Sequence, residues 1–171
     1  MLPPGAGSGG SAAGGSGGGG MPASPECTSC GACPEALPVL SAVHQPGPID
    51  YPNPPPVGGD HDACWARWGL HEEAVPARNW VHNLEHGGVV FLHHCPSGCP
   101  DEIRALSALS QANLRTLVTP YAELNVRFAV VAWGVRLQSD CFDQRAFQAF
   151  YDAHFNHGLE SIASEPPASC Q

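Results

Sequence analysis

The chain has 171 residues, and its opening stretch is so rich in Gly, Ala, Ser and Pro that roughly 145 residues remain to build a single domain. Seven arginines and no lysine stand against sixteen acids, for a formal charge of −9. This argues against nucleic acid as a partner, because phosphate binding rests on a basic patch that releases counterions. No run of eighteen or more apolar residues occurs, so no segment reads as a transmembrane helix.

From Met1 to about Glu26 there are too few side chains able to bury surface and repay ordering, and residues 1–26 read as a disordered Gly/Ser-rich tether to a globular domain over 27–171. A domain of this size does not need cross-links merely to fold. Its eight cysteines, with no repeated zinc-ribbon spacing, therefore point to disulfides and an oxidising compartment, the periplasm or cell surface. The start carries no charged segment followed by an apolar one, as a secretory signal would. Bacterial lipoproteins often carry such a tether after their acylated cysteine, and lipid anchoring through a signal upstream of Met1 would reconcile the two readings.

Cys27-Thr-Ser-Cys30-Gly-Ala-Cys33-Pro34 has the spacing of the first three ligands of a bacterial ferredoxin cluster, but Leu37 stands where the fourth belongs. Disulfides are the better reading, with zinc or free thiols behind them. From Gln45 to Asp60 prolines and glycines forbid regular structure, so an extended arm is expected over the fold. Gly88 to His94 reads as a buried strand, rich in β-branched and aromatic residues. Cys95-Pro-Ser-Gly-Cys99 ends it in a turn whose cysteines could close on each other, a longer-range partner such as Cys64 being the alternative. Asp101 to about Thr116 is an amphipathic helix with acids in its first turn. Leu117–Thr119 and Val126–Trp133 read as strands, and Asp143 to about Asn156 as a second helix. The expected fold is α+β, a small sheet with two packed helices in the order strand-helix-strand-strand-helix.

The chemistry concentrates in Trp80-Val-His82-Asn-Leu-Glu85-His86-Gly87-Gly88. On a strand, imidazoles four residues apart stand about 13 Å apart at roughly 3.3 Å per residue, too far to share an ion. On a helix they lie about 6 Å apart between Cβ atoms and can share one. A shared metal thus demands a helical turn or tight loop over Asn79–His86, with Gly87 and Gly88 releasing the chain into the strand. The letters H-x-x-E-H also match the inverted zinc-protease motif, but that motif belongs within a sustained helix, and here two glycines and a strand follow. Buried hydrogen bonding at a turn is the plain alternative.

Tyr51-Pro-Asn-Pro-Pro-Pro56-Val-Gly-Gly-Asp-His61, Trp65-Ala-Arg-Trp68-Gly69 and Val81-His82-Asn-Leu-Glu85-His86-Gly87-Gly88-Val89 together resemble a bacterial family catalogued as domain of unknown function 3105, over about 51–134. The resemblance implies an exported or membrane-tethered domain whose characteristic polar positions are His61, His82, Glu85 and His86. It brings no established activity. Val57-Gly58 replaces the Thr-Ser pair usual in that family, and Leu70 stands near a usual Tyr.

The glycines before His61 let the arm fold it over His82 and His86 as a third imidazole. Three nitrogens with an open position suit Zn²⁺ or Cu²⁺. Glu85 is then expected to support a ligand histidine from behind, direct ligation being the alternative, and Trp65 and Trp68 to wall the pocket. His93 and His94 point opposite ways on their strand, so at most one could join a common site; His44, His71, His154 and His157 read as surface residues. The leading function is an extracytoplasmic domain binding copper or zinc. The alternatives are a metal-dependent hydrolase or redox enzyme using Glu85 as base, and a metal-free, disulfide-stabilised module that binds another envelope protein.

Overall fold

The structure, a computed structural model, describes Met1 and residues 24–160. The tether expected over 1–26 falls almost wholly outside the described residues. In chain order the elements are β1 (Glu35–Ala36), β2 (Gly69–Leu70), α1 (Ala77–Glu85), β3 (Val89–His93), α2 (Pro100–Ala112), β4 (Thr116–Pro120), β5 (Phe128–Ala132), β6 (Val135–Ser139) and α3 (Gln144–His154). The strands form one six-stranded sheet in the order β1-β6-β5-β3-β4-β2. β3 and β4 run parallel, joined through α2, while β5 is antiparallel to both β3 and β6.

The α+β class holds, but two helices and a small sheet undercount the fold. The stretch expected as a helical turn or tight loop before Gly87 is a nine-residue helix, α1. Its apolar Trp80, Val81 and Leu84 and its polar Asn79, His82, Asn83 and Glu85 are all buried, so its polar face meets protein rather than solvent. β6 was not anticipated because Val135-Arg-Leu-Gln-Ser139 looks half polar. It forms by folding back on β5 through Trp133-Gly134, where Gly134 takes φ +76°. β1 and β2 are two residues each, too short to carry a pattern.

β3 is buried throughout because the sheet is covered on both faces. Val89 and Phe91 face α2 and α3, packing with Leu106, Phe128, Phe147 and Phe150. Val90 and Leu92 face the other way, onto Trp80, Val81 and Leu84 of α1 and onto Val57 of the arm. The arm is thus partly core: Pro55, Pro56 and Val57 are buried. Arg136, 5% exposed on β6, holds it. Its guanidinium donates to the carbonyls of Asn53 and Pro55, to Asn53 Oδ1 and to the Glu35 carboxylate, so one side chain ties both N-terminal segments to the sheet.

Three disulfides link described residues, Cys27–Cys33, Cys30–Cys141 and Cys95–Cys99, and Cys64 is disulfide-bonded as well. Cys30–Cys141 anchors the N-terminal cysteine segment beside the end of β6, across 111 residues of chain. Removing the Arg136 head group strands the buried Pro55 carbonyl and leaves the carbonyl and side chain of Asn53 without this partner. Arg136→Ala is therefore expected to lower unfolding free energy in urea by on the order of 3 kcal/mol. It should also expose the arm around Asn53 to limited proteolysis before the rest of the domain.

Candidate metal centre

The site is built on the last turn of α1. Gly87 N donates to Leu84 O at 2.9 Å and Gly88 N to Asn83 O at 2.9 Å, the paired bonds that close a helix on a left-handed residue, here Gly87 at φ +77°. A Cβ on Gly87 would lie 2.7 Å from Asn156 Cα, and one on Gly88 2.5 Å from the Trp68 ring, so both must be bare. The glycine pair therefore lets the segment after α3 close over the helix end, where Asn156 N bonds Gly87 O and Glu160 N bonds Glu85 O.

A second layer of contacts wraps the loop after His61 around α1. Asn83 makes a two-way amide pair with the backbone of Ala66, and Asn79 donates to Cys64 O. Asp62 N donates to Arg78 O. These buried amides hold His61 and Trp65 over the helix face that carries His82. The arm completes the shell. Gln45 N donates to His61 O and His61 N to Val43 O, a parallel bridge that sets His44 beside His61. The Asp60 carboxylate accepts from Ser41 Oγ and Val43 N, and these bonds hold its carboxyl below the usual range while fastening the strand of arm that bears His44.

Four side chains converge. One ligand atom each from His44, His61, His82 and Glu85 lie within 4.8 Å of one another. The Glu85 carboxylate oxygen is 3.0 Å from His61 Nε2, 3.9 Å from His44 Nε2 and 4.0 Å from His82 Nε2. His61, His82 and Glu85 are buried, whereas the His44 side chain is 53% exposed and forms the solvent side of the cluster.

Backbone carbonyls determine which ring nitrogens face inward. His61 Nδ1–H donates to Gly59 O at 2.8 Å, His82 Nδ1–H to Asp62 O at 2.7 Å and His86 Nδ1–H to Glu160 O at 3.1 Å. A carbonyl can only accept, so each neutral ring keeps its proton on Nδ1 and turns a bare Nε2 lone pair inward. Two contacts are then acceptor against acceptor: His61 Nε2 on the Glu85 carboxylate, and His82 Nε2 on His86 Nε2 at 2.8 Å.

The residues singled out from sequence fall into place unevenly. His61 and His82 lie in the four-residue group with Glu85. His86 stands behind His82, ring on ring, and groups instead with Glu85 and Glu160. The Glu85 carboxylate lies among the nitrogens rather than behind one of them. Trp65 presents ring edges to His82 and His86, whereas Trp68 packs over Gly88 and in the core beneath the sheet. His44 was passed over as a surface residue. No spacing signals it, since it joins His61 only when the intervening Pro/Gly loop closes on itself.

Fold and site together define a two-faced α+β domain carrying a buried imidazole and carboxylate cluster with the donor set of a metal centre. The chain belongs to the family described as Protein of unknown function (DUF3105), whose model matches residues 42–171 and so takes in His44 as well as the block read from sequence. No curated protein and no solved structure matches the chain.

Burial pushes the His82 imidazole down to about 4, opposed by its bond to the Asp62 carbonyl and reinforced by the neighbouring histidines. Its folded pKa lies below the ordinary histidine value near 6.5, so the folded state binds fewer protons than the unfolded one between those limits. The stability this contributes is present above about pH 6.5 and lost as pH falls towards 4. In chelator, the melting temperature is expected to decline across that window, and His82→Gln to flatten the decline.

Proposed function

We propose that this is an extracytoplasmic domain that binds one transition-metal ion, Zn²⁺ or Cu²⁺, through His44, His61, His82 and Glu85, with His86 fixing the His82 ring. The observation that carries the reading is the 3.0 Å contact of His61 Nε2 on the Glu85 carboxylate, both of them acceptors once His61 Nδ1–H donates to Gly59 O, which a cation held by the four ligands relieves. The His82 Nε2 lies 4.0 Å from the same carboxylate oxygen, and burial works against charging that ring. A tetrahedron with bonds of about 2.0 Å separates its ligand atoms by roughly 3.3 Å, close to the spacing of the nitrogens around the Glu85 oxygen. Bare imidazole and carboxylate donors suit zinc and copper, and the carbonyls behind the rings are the partners that orient metal-bound histidines.

The hydrolase reading asks Glu85 to activate a water as base. A carboxylate already surrounded by three imidazoles is better employed as a ligand, which favours binding over hydrolysis. A disulfide joining distant parts of the chain supports a domain held outside the reducing cytoplasm, with the tether as its attachment.

The test is metal content after dialysis of untagged, oxidised protein against mixed metals. One ion per chain is expected for wild type, and none for His61→Ala or His82→Ala. For His44→Ala, the exposed ligand, one ion should bind about ten- to a hundredfold more weakly. Added Zn²⁺ or Cu²⁺ should raise the melting temperature at pH 7.5 and lose most of that effect by about pH 5, as the imidazoles protonate. Unchanged melting with metal at pH 7.5, together with no stoichiometric ion, would leave the envelope-interaction module as the better reading.

A further inference from the structure

At the far end of β3 stands a second chemical feature, independent of the histidine cluster. Cys95-Pro-Ser-Gly-Cys99 leaves the C-terminal end of β3 and opens α2, with Cys99 as its N-cap. β3, α2 and β4 make a parallel crossover, and the β5–β6 hairpin and α3 follow. Oxidoreductases of the thioredoxin type carry their reactive cysteine pair at this junction of strand and helix, with two residues between the cysteines where this chain has three.

The local geometry favours exchange over a purely structural link. Gly98 N donates to Cys95 O, closing a turn with Pro96 second and Gly98 at φ +83°, which holds Cys95 at the rim while Cys99 is 2% exposed beneath it. The pair lies on a groove of about 290 Å³ with Ala74, Ile103, Pro120 and Tyr121 in its walls. His93, nine-tenths buried, brings a ring nitrogen within 4.8 Å of both sulfurs. His94 Nδ1 beside it is buried with no hydrogen-bond partner among the described residues. A disulfide serving only as a staple closes five residues in a turn already fixed by Pro96 and Gly98, where a cross-link removes little chain entropy.

We infer that Cys95–Cys99 is a reversible dithiol–disulfide centre that exchanges with cysteine pairs of another polypeptide laid in this groove. In the oxidising direction a substrate thiolate attacks the accessible Cys95 Sγ. The Cys95–Cys99 bond breaks, and its electron pair leaves on Cys99 at the N-terminus of α2, where the helix dipole stabilises a thiolate. The second substrate thiol gives its proton to His93 or water and attacks the mixed disulfide. The substrate leaves as a disulfide, two electrons poorer, and Cys95 and Cys99 remain as the reduced pair, which takes up the two protons. An external disulfide, such as glutathione disulfide, reverses the change on the protein.

The test uses the full oxidised chain in reduced and oxidised glutathione buffers of graded ratio, with alkylation trapping and peptide mapping. Cys95 and Cys99 are expected to open first, at a thiol level at least tenfold below that which opens Cys27–Cys33 or Cys30–Cys141, with circular dichroism unchanged. A reduced two-cysteine peptide should be oxidised stoichiometrically by wild type and by Cys27→Ser/Cys33→Ser, but not by Cys95→Ser/Cys99→Ser. Cys99→Ser, whose Cys95 thiolate can attack the disulfide form of the same peptide and release its second sulfur as a thiol, should hold that peptide as a mixed disulfide on Cys95, provided it shows native circular dichroism. Simultaneous reduction of all the bonds on unfolding, or failure of well-folded Cys99→Ser to capture the peptide, would overturn the proposal and make Cys95–Cys99 a structural link.

Discussion

Three backbone carbonyls organise the candidate metal centre. Each accepts a hydrogen bond from the Nδ1–H of one buried imidazole, so that His61 and His82 turn a lone pair towards the Glu85 carboxylate and His86 turns one onto His82. Lone pairs facing each other in a low-dielectric interior are costly, and nothing in the packing relaxes them, because each ring is held from behind by main chain that is itself hydrogen-bonded. The cluster is therefore poised for a positive charge. A cation ligated by these atoms replaces several unfavourable contacts at once, which is why the carbonyl bonds behind the rings matter as much as the rings themselves.

The rest of the fold can be read as the support this arrangement requires. α1 has no solvent face over Asn79–Glu85, so its polar residues need partners inside the protein, and they find them in the 61–66 loop. The same amide bonds that satisfy Asn79 and Asn83 fix the position of His61. Arg136 acts similarly for the arm, gathering carbonyls of the proline-rich segment that no secondary structure would satisfy and holding the loop whose ends carry His44 and His61. Satisfying buried polar groups and positioning the candidate ligands are here one task.

This division explains what could be read from sequence. β3, α2, β4, β5 and α3 announce themselves by apolar period and end signals, and their boundaries were missed by only a few residues at the ends. The pairing of His82, Glu85 and His86 was legible because spacing four apart has meaning on a helix, and Gly87-Gly88 marked where that helix must stop. Other features were not legible because they depend on contacts distant in sequence. α1 reads as no more than a helical turn or tight loop since nine residues carry little of a helical period, β6 depends on the hairpin at Gly134, and His44 depends on a loop closing between two glycine- and proline-rich ends. The surroundings of Glu85 are hidden from sequence for the same reason. Spacing shows that a carboxylate lies beside a histidine, but only the folded arm shows that it sits among three of them.

The two chemical features occupy opposite ends of one strand, and helix electrostatics suit each to its place. β3 begins at the C-terminal end of α1, where the helix dipole favours a cation, and the candidate ligands His82 and Glu85 sit in that last turn. β3 ends at the N-terminus of α2, where unpaired N–H groups favour an anion, and there the chain presents two sulfurs whose reduced form is a thiolate. A cation at the cysteine end would oppose the dipole of α2, and a thiolate at the histidine end would add charge to a cluster already rich in lone pairs. The five residues of β3 span roughly 17 Å at about 3.3 Å each. The groups at both ends are largely buried, where salt screens charge less than at the surface, so distance rather than screening separates the two chemistries.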